Sequence, residues 1–181
     1  MNFKLVLSQI IQKFESEKLE YGLIGGIAIG ILGVNRATAD LDFLVHHDDM
    51  EKVGKIMNDL GYHPVFHNEI FSLYQSGLKA FGNIDFVHAK NETIRKMLAD
   101  RKNHKIFDDS LEVAVITVED IIGLKLQAIK NDKSRSGIDE SDIVQLLGIH
   151  QGKIDITKIR GYAEKLEMTD TMENLMKKAE A

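Results

Sequence analysis

The chain has 181 residues, 44% of them hydrophobic, and a formal net charge of −5. That is enough apolar material for one domain, or a core with a small appendage, and the wrong sign for a general nucleic-acid-binding module. No cysteine is present, which excludes a disulfide framework, a thiolate metal site and a thiol nucleophile, and is compatible with a cytoplasmic setting.

Leu5, Leu7, Ile10, Ile11 and Phe14 suit one side of an amphipathic helix over residues 3–17. Ser8, Gln9, Gln12 and Lys13 interrupt that stretch, so it does not read as an export signal. Tyr21–Ile24 reads as a short apolar strand running into Gly25-Gly26, followed by a compact helix to about Gly33. The Ile24–Val34 run is broken by glycines and followed by Asn35, Arg36 and Asp40, so no bilayer span is expected. Leu41–Val45 is the next strand. A helix is predicted from Asp48 as N-cap, with Glu51 three residues on, to Gly61. Three β-like runs, YHPVF, IFSLYQ and FGNIDFVHA, are separated by turn residues and predict a meander. Residues 91–101 read as a helix, and the basic segment IRKMLADRKNHK as a solvated helix face able to meet an RNA acceptor. LEVAVI, 111–116, is a further strand. From Thr117 the pattern turns helical, opening on a Thr-x-x-Asp cap and continuing through four helical segments. The expectation is an α/β (α+β) chain. A mixed sheet backed by helices would fill residues 1–116, and a helical region, 117–181, would pack on it.

Side chains alternate along a strand, so Leu41, Phe43 and Val45 would face a core while Asp40 and Asp42 project from the opposite side. Two like charges so close repel, and burying them unpaired is costly. A divalent cation resolves the conflict, since Mg²⁺ typically takes one or two carboxylates together with waters and substrate phosphates. In GNIDFVHA, Asp85 likewise lies opposite Ile84 and Phe86. Adjacent antiparallel strands would bring it beside Asp40 and Asp42 as a two-metal site. The alternative is a polar outer face on an edge strand. Gly25-Gly26, at a strand-to-helix turn, would let backbone approach a phosphate, although glycines at such turns are often steric. The pair His46-His47 with Asp48-Asp49, and the scattered His63, His67, His88, His104 and His150, show no ligand spacing and read as structural.

Together, Ile24-Gly25-Gly26, then Asp40-Leu41-Asp42, then Ile84-Asp85-Phe86 resemble the pattern of the DNA polymerase β nucleotidyltransferase superfamily. The run Arg36, Thr38, Asp40, Leu41, Asp42 is similar to that of minimal bacterial nucleotidyltransferases, among them toxin components of toxin–antitoxin and abortive-infection systems. Leu124-Lys125-Leu126-Gln127-Ala128 and Asp139-Glu140-Ser141-Asp142 match two further segments of that subgroup, although Ile138 stands where a basic residue is often found. The resemblance spans residues 20–147. It implies transfer of a nucleotide from a nucleoside triphosphate such as ATP to an acceptor hydroxyl on tRNA, a protein or a small molecule, with a possible antitoxin as partner and no membrane. Asp40, Asp42 and Asp85 would hold Mg²⁺ or Mn²⁺. Gly25, Gly26, Arg36, Lys125 and Asp139 would bind the nucleotide, and Asp85, or Asp139 more distantly, would serve as base.

Lys125 also has a local case, because Ile121, Ile122, Ala128 and Ile129 surround it at helical spacing and place its ammonium in an apolar stripe. Snorkelling to the surface is the alternative. Asp139 and Asp142 share a helix face; either could orient Lys125, and Asp139 could equally cap its helix. A non-catalytic nucleotide-sensing or protein-binding module and a metal-dependent phosphohydrolase are the rival functions; covalent nucleotide on an acceptor separates transfer from both.

Overall fold

A computed structural model describes residues 1–78 and 80–180. The chain forms two compact units, residues 1–28 with 37–116, and residues 29–36 with 117–180 among those described.

The first unit is built on a seven-stranded mixed sheet. Its strands are β1 (Tyr21–Ile24), β2 (Leu41–His46), β3 (Tyr62–His67), β4 (Phe71–Ser76), β5 (Asn83–Ala89), β6 (Lys102–Ile106) and β7 (Leu111–Val115), in the order β3-β4-β5-β2-β1-β7-β6. β3, β4 and β5 form the expected antiparallel meander. β1 and β2 are antiparallel, whereas β5 lies parallel to β2 and β7 parallel to β1. The helices of this unit include α1 (Phe3–Ser16), α3 (Met50–Asp59) and α4 (Glu92–Ala99). α2 (Gly25–Ile31) follows β1 directly.

The sheet face opposite the aspartates packs against α1. Leu41, Phe43, Val45, Ile84 and Phe86 are fully buried, as are Leu7, Ile10 and Phe14 of α1. Phe14 lies 5.5 Å from Phe43 edge-on, and Phe43 stacks on Phe86 at 5.6 Å, measured between ring centroids. This aromatic column fixes which side of β2 and β5 faces inward, and so which side presents the aspartates.

Two local expectations are corrected. A 3-10 turn over His47–Asp49 precedes α3; the cap position is Asp49, without a side-chain cap bond, and Asp48 instead accepts from Arg95 of α4 at 2.8 Å. Lys102 and Lys105 belong to edge strand β6, not to a helix. That strand is polar and mostly exposed, so no apolar alternation marks it; pairing with β7 creates it.

The second unit is helical: α5 (Val118–Asn131), α6 (Ser136–Ile149), α7 (Ile156–Lys165) and α8 (Thr169–Glu180). Thr117 caps α5, its hydroxyl accepting from the Asp120 N–H at 3.4 Å and donating to the Asp120 carboxylate at 2.7 Å. Among the described residues, no helix is long and apolar enough to cross a membrane.

Candidate active site

In the first unit, β2 and β5 run side by side in parallel register with Asp42 opposite Asp85. The sequence expectation of antiparallel neighbours is therefore corrected. Parallel pairing aligns the two carboxylates because Leu41 meets Ile84 and Phe43 meets Phe86 on the core face. Asp40 lies just outside β2, which begins at Leu41. It is partly exposed, and its backbone carbonyl accepts from Thr38 Oγ1 at 3.4 Å.

Burial, with the charges of Asp42 and then Asp40 adding to it, pushes the Asp85 carboxyl up to about 7. Its Oδ1 is buried without a hydrogen-bond partner. An unmatched carboxylate oxygen beside two further carboxylates holds a place for a proton or a cation. Hard oxygen donors of this kind fit Mg²⁺ or Mn²⁺. Among the described residues, no three acidic or imidazole side chains form a group able to hold a metal by themselves. The expected three-carboxylate gathering is thus a register pair with a third charge beside it. That suits an ion that takes most of its ligands from water and phosphate.

The two glycines have a steric reason that spacing alone could not supply. Gly25 has φ +64°, and a Cβ there would lie 1.9 Å from Asp42 Oδ2. At Gly26 a Cβ would lie 2.6 Å from both Cβ and Oγ1 of Thr38. The turn after β1 is therefore pressed against the carboxylate strand, and only glycine permits that approach.

In the second unit, Lys125 of α5 is 8% exposed. It donates to Asp139 Oδ1 at 2.6 Å and to Asp142 Oδ2 at 2.7 Å, both on α6. It does not snorkel to the surface, and Asp139 does not cap its helix. Arg135 Nε donates to the other oxygen of Asp139 at 2.9 Å, and Arg36 pairs with Asp142. Burial pushes the Asp139 carboxyl up, but the hydrogen bonds and charges of Lys125 and Arg135 outweigh it and hold that carboxyl below its ordinary range. Three cations face two carboxylates in this chain of contacts, which leaves it one net positive charge. Arg135 is exposed and Arg36 partly so, so the surplus charge reaches solvent.

Sequence reading missed a second buried ion group in this unit. Asp120 is fully buried and accepts from Thr117 Oγ1, from Tyr162 OH at 2.5 Å and from Lys158 Nζ at 2.8 Å. Only the Thr-x-x-Asp cap pointed toward it. Lys158 and Tyr162 lie on α7, about 40 residues away along the chain, beyond the reach of any local pattern.

No protein-family model matches the chain, and no curated protein matches it in sequence. Solved structures do match its fold. The solution structure of the antibiotic-resistance factor ANT(2'')-Ia aligns at TM-score 0.68 and 14% identity, over 96% of this chain and 97% of that one. An antigenic nucleotidyltransferase-like protein from Paracoccidioides brasiliensis aligns at TM-score 0.61 and 17% identity, over 97% and 92%. The lincomycin-bound lincosamide antibiotic adenylyltransferase LnuA aligns at TM-score 0.58 and 18% identity, over 80% and 96%. The mixed sheet with its helices is thus the fold of these nucleotidyltransferases.

Proposed function

We propose that this chain is a metal-dependent nucleotidyltransferase. One observation carries the proposal: Asp42 and Asp85 lie in register on neighbouring strands, and Asp85 has a buried oxygen with no partner. The fold shared with nucleotidyltransferases raises the prior for that chemistry without assigning it.

Asp40, Asp42 and Asp85 would hold Mg²⁺ or Mn²⁺. When bound, the ion would neutralise phosphate charge and stabilise the attacking and leaving oxygens. Lys125 and Arg36 would bind the triphosphate of ATP or another nucleoside triphosphate, with Asp139 holding Lys125. The turn at Gly25-Gly26 would leave backbone accessible to the nucleotide. The acceptor hydroxyl attacks the α-phosphorus in line. A new O–P bond forms, the bond from the α-phosphorus to the bridging oxygen breaks, and pyrophosphate leaves with the electron pair. Asp85 would take the hydroxyl proton as the O–P bond forms.

The acceptor would be tRNA, a protein or a small molecule in the cytoplasm. The resemblance to toxin-like nucleotidyltransferases favours the first two, with an antitoxin as partner. Solved neighbours favour the third: LnuA is named as a lincosamide antibiotic adenylyltransferase, and ANT(2'')-Ia is also solved in complex with adenylyl-2''-tobramycin. The test incubates the protein with each α-labelled nucleoside triphosphate, Mg²⁺, and in separate arms a cell lysate, tobramycin or lincomycin. Labelled acceptor that disappears with Asp42→Asn supports transfer, and the labelled arm names its class. Hydrolysis without labelled acceptor would replace transferase by phosphohydrolase. Binding without turnover would leave a sensing module.

A further inference from the structure

A cleft of about 530 Å³ opens in the first unit where β1 and β7 part. The two strands meet in register only at Leu23 and Val115. There the Ile116 N–H reaches the Leu23 carbonyl at 3.1 Å. Two residues earlier on β7, the Ala114 N–H donates instead to the Tyr21 hydroxyl oxygen at 3.3 Å. A side chain has taken the place of a strand, and the space beside it is the cleft. Tyr21 lines that cleft and is 8% exposed, its ring packed on Phe14 and Phe43, on the side of the sheet away from Asp42. Ala114 satisfies the phenol oxygen, but the phenol proton has no acceptor among the described residues. A hydroxyl both accepts and donates, so this one is half matched.

Water can supply the missing acceptor; the charges around it decide what binds better. Glu15, Glu20 and Glu112 line the cleft together with Lys18 and Arg101. Arg101 closes Glu20 at 2.8 Å, and one oxygen of Glu112 accepts from Asn103 Nδ2 at 2.7 Å. Glu15 has no hydrogen-bond or ion-pair partner among the described residues, and Lys18 is exposed. The buried phenol senses the balance. Burial pushes it up and the Ala114 N–H pulls it down; of the charges, Glu15 and Glu112 push it up against Arg101. A negative potential that resists loss of the phenol proton also attracts a cation. A bare ammonium, however, carries no acceptor for that proton. An ammonium and a hydroxyl on one small molecule meet both needs.

We propose that this cleft is a binding site for a small hydroxylated amine of the amino-alcohol or amino-sugar class, its ammonium held by Glu15 and Glu112 and its hydroxyl accepting from Tyr21. Binding is noncovalent, and the site holds whether or not the chain transfers nucleotides.

The test is NMR titration of the ¹⁵N-labelled full chain with three probes. Glucosamine carries ammonium and hydroxyls, N-acetylglucosamine lacks the charge, and cyclohexylamine lacks the hydroxyls. At about pH 6.5, where the amines are protonated, glucosamine is expected to shift the Ala114 amide and the Tyr21 ring signals saturably. The other two are each expected to bind roughly fivefold more weakly or worse, for want of the charge or of the acceptor. Glu15→Gln and Glu112→Gln, both at exposed positions, are each expected to weaken glucosamine roughly two- to fivefold. No saturable shift at Ala114, shifts confined to the Asp42 and Asp85 strands, equal binding of either control probe, or unchanged affinity in both variants would each overturn the proposal.

Discussion

Replacing Asp85 by asparagine should stabilise the metal-free protein above neutral pH while abolishing nucleotide transfer. Raising a carboxyl from 3.8 to about 7 corresponds to about 4 kcal/mol of unfavourable ionisation at most. Asp85 is partly exposed, so solvent screens much of that, and roughly 1–2 kcal/mol is the realistic gain. The sign follows from linkage. The folded-state value is raised, so Asp85 contributes no penalty below about 3.8, a growing one as pH rises toward 7, and a constant one beyond. The melting temperature of Asp85→Asn should therefore exceed that of the wild type by roughly 2–8 °C at pH 8. The gap should narrow toward pH 4. Mg²⁺ should raise the wild-type melting temperature and shrink the gap, because the cation meets the carboxylate oxygen that the variant no longer offers. Thermal melts at pH 4, 6 and 8, with and without Mg²⁺, measure this alongside a labelled-nucleotide assay. A variant less stable than wild type at pH 8, or a gap that does not change with pH, would refute the electrostatic account of Asp85. Full transfer activity in Asp85→Asn would refute its chemical role.

Gly25→Ala should cost roughly 2–4 kcal/mol from left-handed strain and the clash with Asp42, and should reduce transfer even where denaturant titration finds the protein folded. Lys125→Met leaves the Asp139 and Asp142 carboxylates buried beside fewer cations and should destabilise by about 3–5 kcal/mol; an unchanged melting temperature would show that the buried network contributes nothing. Tyr162→Phe removes one donor from fully buried Asp120 and should cost about 1–2 kcal/mol with transfer per folded molecule unaltered, as circular dichroism melts and the same assay would read. Because the Asp139 carboxyl is held below its ordinary 3.8, its contribution is present above that pH and lost as acid titrates the folded form. Asp139→Asn should therefore show a flatter stability profile below about pH 4.

What the sequence by itself determined was local and periodic. A period of two separated Leu41, Phe43 and Val45 from Asp42, and Ile84 and Phe86 from Asp85, and burial follows that division. The helical stripe around Lys125 and the Thr117 cap were legible for the same reason: side-chain direction repeats over a few residues whatever the partners are. The tertiary structure decided everything that depends on residues meeting across long separations. β5 lies parallel to β2, a matter of how the intervening meander returns the chain to the sheet. β6 has no apolar alternation and exists because β7 offers it a partner. Asp48 left its cap for Arg95, a residue of another helix. The closeness of Gly25 to Asp42, the closure of Asp120 by Lys158 and Tyr162, and the meeting of His47, His67 and His88 are likewise contacts between distant segments. Their energy lies in pairing and burial, which no window of neighbouring residues contains.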